Sequence, residues 1–295
     1  MDTKPYAAID NNSVLTVFAP SRQSVPLVFS SPHSGRDYPE DFIAMSKLDA
    51  KTLRRSEDSF VDELYLCAPD LGAPLIGALF PRAFCDPNRE PYELDPAMFT
   101  GPLPQNANTR SPRVAAGLGT IARVVASGAE IYADKLPVSE AERRITDYYR
   151  PYHDRLGRLV AETKDAFGWS LLVDCHSMPS VGGPMDRDSG LSRVDVVLGD
   201  CFGGACSPLF TQVVEDAFQH MGYRVVRNMP YAGGFTTRHY GHPRQGSHAL
   251  QIELNRALYM DEGEHVRGPG FAQVQADIAV VVQSLCAAAV TFGEP

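Results

Sequence analysis

The chain has 295 residues, 44% of them hydrophobic and 21% charged, an ordinary composition for a globular protein that buries a large core. A net charge of -9 with no basic cluster argues against a nucleic-acid surface, so a small-molecule site is the better expectation. No uninterrupted apolar stretch reaches the length of a bilayer span and the opening "MDTKPYAAID" lacks a signal-peptide pattern, which predicts a cytoplasmic protein with no membrane partner.

Residues 25–29 form an apolar run that breaks into Ser, Pro and Gly, predicting a strand and then a loop that carries His33. In "EDSFVDELYLC" (57–67), Phe60, Val61, Leu64 and Tyr65 fall at helical spacing. Residues 74–80 and 82–86 read as two further strands. Gly, Pro and Asn dominate 100–119, which reads as a long loop suited to a lid. Ser139 and Glu142 make a capping-box pattern at the start of a long amphipathic helix running towards Phe167, with a kink expected at Pro151.

The stretch "LLVDCHSMPS" (171–180) reads as a buried strand that ends in Asp174, Cys175 and His176. A strand over 194–200, a helix over 207–221 and a strand over 223–228 follow. A glycine-rich loop occupies 228–243, an alternating strand 248–255, and an apolar helix 273–290 that should pack on the sheet. Strands alternating with helices, without repeat or linker, predict a single three-layer α/β/α domain over residues 1–295. The six cysteines form no CxxC pair, so reduced thiols are expected.

The polar residues at the ends of the apolar runs carry the chemistry. His33 follows one strand, His176 ends a second, and Glu253 interrupts a third, where an ionised carboxylate is costly unless a cation compensates it. A zinc hydrolase needs about three protein ligands, an open position for water, and a carboxylate to take that water's proton. The two histidines and one helix carboxylate supply such a set, and periodicity leaves Asp58 and Glu57 competing for the third place. Arg82, Asn88 and Arg89 in "PRAFCDPNRE" suit carboxylate recognition, although an arginine here could instead hold the loop by pairing with Asp86. Arg238, close after Gly233 and Gly234, is a further basic candidate.

Taken in order, "SPHSG", "EDSFVDELY", "DPNRE", "DCHSMPS", "GGFTTRHYG" and "HALQIELN" resemble the N-formylglutamate amidohydrolase family over about residues 29–261. The resemblance implies a mixed central sheet similar to zinc carboxypeptidases and aspartoacylases, with one catalytic zinc per chain. It places the ligands on His33, Asp58 and His176, favouring Asp58 over Glu57, and the general base on Glu253. It puts substrate-carboxylate binding on Asn88 and Arg89, and glutamate binding on the loop holding Gly234, Thr237 and Arg238. The residues after Arg89, "EPYELDP", and the 100–119 loop depart from the histidine-degradation members. The implied reaction is hydrolysis of the N-formyl or other N-acyl amide of an acidic amino acid, foremost N-formyl-L-glutamate to L-glutamate and formate. The alternative is a divergent N-acyl amino acid deacylase or a zinc carboxypeptidase-like peptidase with another substrate. In such a reaction Arg82 is suited to stabilise the oxyanion and Asp174 to orient a ligand histidine. Two rival readings are a nucleophilic Cys175 or Cys85, and a metal-free carboxylate-binding protein.

Overall fold

The computed structural model describes residues 6–11, 14–184, 186 and 188–292, so the ends of the 1–295 range lie outside the described residues. Its main sheet contains β1 (Tyr6–Asn11), β2 (Leu15–Pro20), β3 (Leu27–Ser31), β4 (Leu75–Ala78), β5 (Ser170–Met178), β6 (Val196–Gly199), β7 (Val225–Arg227) and β8 (Ser247–Asn255). They pair in the order β1-β2-β4-β3-β5-β8-β6-β7. The three inner strands β3, β5 and β8 run parallel, and antiparallel pairs bring in β2 and β6, so the sheet is mixed.

Alternation along the inner strands divides their side chains between two layers. On β5, Leu171, Val173 and Cys175 enter one core, and Leu172 enters the other. On β8, Leu250, Ile252 and Leu254 join the first and Ala249 the second. The first layer is covered by α5 (Pro208–His220) and α7 (Phe271–Phe292), through Phe210, Val214, Ile278 and Val282. The second is covered by α4 (Arg150–Phe167), through Tyr152, Leu156 and Leu159. This is the expected three-layer α/β/α arrangement. Period-two spacing puts Asp174 and His176, with Gln251 and Glu253, on the α4 side of the sheet.

Several elements differ from the sequence expectation. The helix over 57–67 shrinks to α1 (Val61–Leu64), because Phe60 is left-handed at φ 67° and stops the helix from beginning earlier. Asp58 therefore sits on a turn and not on a helix. Residues 82–86 are not a strand: the amides of Phe84 and Cys85 both donate back to the Pro81 carbonyl, folding the segment into a turn. The long loop contains α2 (Pro112–Ala115), where Ser111 Oγ accepts the Val114 amide.

The capping box is displaced as well. The α3 helix (Val138–Arg144) starts after Pro137, so Ser139 lies inside it, and its side chain caps nothing. Pro151 does not break the run into α4. Residues Ile145–Tyr149 form a π turn just before it, and this wider winding makes room for a ring that lacks a donor. The glycine-rich loop holds α6 (Phe235–Tyr240), and β1 and β2 carried no readable signal. The α7 helix, at 22 residues, is long and apolar enough by composition to cross a membrane, against the expectation. Its buried stripe, from Val274 to Ala289, lies in the first core.

Candidate active site

Where β3, β5 and β8 end, three side chains from different segments converge. Ligating atoms of His33, Asp58 and His176 all lie within 4.8 Å of one another, and all three residues are buried. His33 follows β3 by two residues, and its carbonyl accepts the Asp58 amide at 3.0 Å, tying the two segments together. His176 Nδ1 lies 3.0 Å and His33 Nδ1 3.4 Å from Asp58 Oδ2.

Each histidine has its other ring nitrogen against a second carboxylate. His33 Nε2 is 2.8 Å from Asp86 Oδ1, and His176 Nε2 is 3.1 Å from Asp174 Oδ2. Such partners fix the ring orientation and make an imidazole a better ligand. His33 Nδ1 is buried with no hydrogen-bond partner, an orphan aimed at the shared carboxylate. Two imidazoles and one carboxylate, oriented from behind, fit a divalent metal ion.

Asp58 rather than Glu57 completes this group. Glu57 Oε1 accepts from Tyr38 at 2.7 Å and from Arg54, while its Oε2 accepts from Ser59, so that side chain is fully engaged elsewhere. Burial alone would raise the Asp58 carboxyl, but the hydrogen bond from His176 and the charges of His33 and Arg256 outweigh it. They hold the group well below the usual carboxylate range. The same balance applies to Asp86, where burial is outweighed by Arg82, Arg89 and His33.

Glu253 pairs with His176 in the β5–β8 register and lines the same cavity. Burial pushes its carboxyl up to about 7. Gln251 Nε2 donates to Glu253 Oε1 at 2.6 Å, and Gln251 Oε1 in turn accepts from the Gly234 amide at 2.7 Å and from Thr237 Oγ1 at 3.3 Å. Gly234 and Thr237, expected to hold substrate, thus reach Glu253 through Gln251. Gly234 also lines the cavity, and a β-carbon there would fall 2.3 Å from the Asn88 amide, so the close approach requires glycine.

The arginine and asparagine candidates divide. Asn88 lines the cavity, with Nδ2 3.1 Å from His176 Nε2 and Oδ1 accepting the Thr236 amide. Arg82 also lines it, but donates from Nε and Nη2 to Asp86, so it is the arginine that makes the loop pairing with Asp86. Arg89 is buried and donates from Nε to the Leu118 carbonyl and from Nη1 to the Asn88 carbonyl. Burial lowers its guanidinium to about 10. Arg238 is not brought to the site: it is exposed, and its Nη1 donates to the Gly233 carbonyl.

The cysteine reading fails on geometry. Cys175 faces the opposite layer from His176, and burial raises its thiol well above the usual range. Burial likewise raises Cys85. Sequence reasoning missed Arg256, whose Nη2 donates to Asp58 Oδ1 at 2.9 Å, and Gln251. Both lie within three residues of Glu253, on or just past β8, where period-two spacing could have flagged Gln251.

The strand ends and the converging side chains define the class: an α/β protein with a candidate metal centre set over a mixed sheet. The family description N-formylglutamate amidohydrolase matches residues 25–260. N-formylglutamate deformylase of Pseudomonas aeruginosa is 32% identical over 244 residues, covering 82% of this chain and 84% of that protein. The protein of the same name from Pseudomonas putida is 30% identical over 243 residues, covering 81% and 84%. The crystal structure of N-formylglutamate amidohydrolase from Ralstonia eutropha JMP134 superposes with a TM-score of 0.88 at 35% identity, covering 95% of this chain and 100% of that one. The chain belongs to the N-formylglutamate amidohydrolase family.

Proposed function

We propose that this protein is a zinc-dependent hydrolase that cleaves the N-formyl amide of N-formyl-L-glutamate into formate and L-glutamate. One observation carries the reading: His33, Asp58 and His176 converge within 4.8 Å at the cavity that Glu253 also lines. A zinc ion held by His33, Asp58 and His176 would lower the pKa of a water and polarise the formyl carbonyl.

Glu253 takes the proton of the attacking water and delivers it to the amide nitrogen as the C–N bond breaks. A carboxyl pushed to about 7 suits a group that must accept and return a proton near neutrality. Gln251 holds one of its oxygens and leaves the other for this work. Arg82 lines the cavity as the charged group to stabilise the developing oxyanion, oriented by Asp86. Asn88 and Arg89 bind the α-carboxylate beside the reacting centre. The names of the two Pseudomonas relatives support formylglutamate as the substrate. A cytoplasmic setting belongs to the same proposal and agrees with six free cysteines.

Elemental analysis of carefully purified protein should find about one zinc per chain. Chelation should remove turnover of N-formyl-L-glutamate, and zinc should restore it. Full activity in metal-free protein would overturn the metal assignment. Turnover of N-acetyl or longer N-acyl amino acids in preference to the formyl compound would replace the acyl group.

A further inference from the structure

The 113–126 segment forms one wall of the cavity. Leu118, Val124 and Val125 give it an apolar surface, and Arg113, in α2, contributes its only guanidinium facing the cavity lining. Arg82, Arg89, Arg113 and Arg256 all line this cavity, but they are not equivalent. Arg82 is bound to Asp86, Arg256 to Asp58 and Ser177, and Arg89 to two backbone carbonyls. Asp186, an acidic group in the same lining, is already taken by Arg193 at 2.6 Å. Arg113 is exposed, and its guanidinium has no hydrogen bond or ion pair among the described residues.

An exposed arginine on a protein surface is ordinary. This one stands on a cavity wall, near enough to Arg89 that the two like charges oppose each other. The wall itself is anchored. Arg89 Nε holds the Leu118 carbonyl, and the Thr120 amide donates to the Glu93 carbonyl at 2.8 Å. Arg113 is therefore presented by a fixed loop and not by a free one.

We propose that Arg113 binds the side-chain carboxylate of the substrate and sets the preference for N-acyl derivatives of acidic amino acids. This rests on the hydrolase reading above and deepens it. The α-carboxylate is one carbon from the scissile nitrogen, so it must bind deep, beside buried Asn88 and Arg89. A glutamate side-chain carboxylate lies three bonds from the α-carbon, two further than the α-carboxylate, and reaches outward to where exposed Arg113 offers an unpaired cation. Its methylenes then run along Leu118 and the neighbouring valines. The guanidinium fork is the right group for a planar two-oxygen anion.

The test compares wild type, Arg113→Ala and Arg113→Lys on N-formyl-L-glutamate and on its neutral isostere N-formyl-L-glutamine. Arg113→Ala should lower kcat/KM on the glutamate compound by roughly ten- to a hundredfold, the scale of a lost hydrogen bond to a charged group. The loss should fall mainly in KM, the glutamine compound should change by less than about threefold, and Lys should recover part of the preference. Equal losses on both substrates, an unchanged preference, or a wild type without preference would each overturn the role of Arg113. If the wild type hydrolyses neither compound, the hydrolase reading fails separately. Calorimetry of L-glutamate and L-glutamine on wild type and Arg113→Ala then decides about Arg113. Glutamate binding that is lost only in the variant supports it, and binding that is absent or unaffected overturns it.

Discussion

The strand-end site and the 113–126 wall sit on one cavity but are built in opposite ways. At the strand ends the ionisable side chains are set against one another. Both histidines are backed by carboxylates, Asp58 by Arg256, and Glu253 by Gln251. Rigid strands set their spacing, and burial strengthens each interaction. The wall is a loop whose apolar residues and backbone are anchored, while Arg113 is left without a partner. The difference teaches that the fold prepays the geometry of the reaction but leaves recognition of the substrate's outer end to a side chain waiting for its anion.

Breaking the first region should be far more damaging than altering the second. Asp58→Ala should abolish zinc binding and turnover together, because it removes the one carboxylate that both histidines face. Glu57→Ala, which cuts ties to Tyr38, Arg54 and Ser59, should cost stability yet leave zinc stoichiometry intact. Metal analysis of the two variants checks this, and the reverse pattern would move the ligand by one residue.

Glu253→Gln is the next largest effect and separates chemistry from binding within the strand-end site. It keeps shape but removes the proton acceptor, so kcat should fall by at least about a hundredfold. Zinc content should be unchanged. A variant retaining more than about a tenth of wild-type kcat would exclude Glu253 as the base.

The smallest effect concerns the joint between the two regions. His153 on α4 lies with Nε2 2.7 Å from the Pro87 carbonyl and Nδ1 3.0 Å from the Tyr240 hydroxyl, pinning the segment that leads into Asn88 and Arg89. Burial lowers its pKa from 6.5 to about 4, so the folded protein holds it neutral. The unfolded chain takes up the proton first as pH falls. The stability due to neutral His153 is therefore complete above about 6.5 and is lost as pH drops towards about 4. Denaturant titrations at pH 7 and 4.5 should show a loss of at most about 3 kcal/mol from this group. That increment should vanish in His153→Gln, and an unchanged pH slope would count against it.

Much of the strand-end site was legible because it follows local pattern. His33, His176 and Glu253 each interrupt or end an apolar run, and a polar residue there is conspicuous in any sequence. The third ligand was not legible from periodicity, since Phe60 adopts a left-handed turn that no helical spacing announces. Asp86 illustrates a second limit. Its pairing with Arg82, four residues away, could be foreseen, whereas its contact with His33 spans 53 residues. Arg113 is a third case. Ser111 and Pro112 do mark a helix start in "RSPRVAAG", but only the folded wall turns that arginine towards a cavity. Arg238 errs the other way: its glycine-rich neighbourhood promised a ligand contact, and the side chain instead folds back onto Gly233.

The alternation of β5 has a consequence for how such a sequence can change over generations. Cys175 and His176 are neighbours in the chain, yet one faces hydrocarbon and the other the polar cavity. Loss or gain of a single residue between Ser170 and His176 would exchange the contents of the two layers, placing a thiol where a ligand belongs and an imidazole among aliphatic side chains. The parallel neighbours β3 and β8 hold β5 in register from both sides, so no compensating slide is open to it. This stretch can therefore drift by substitution but not by insertion or deletion, whereas the exposed parts of the 100–119 loop can absorb changes of length.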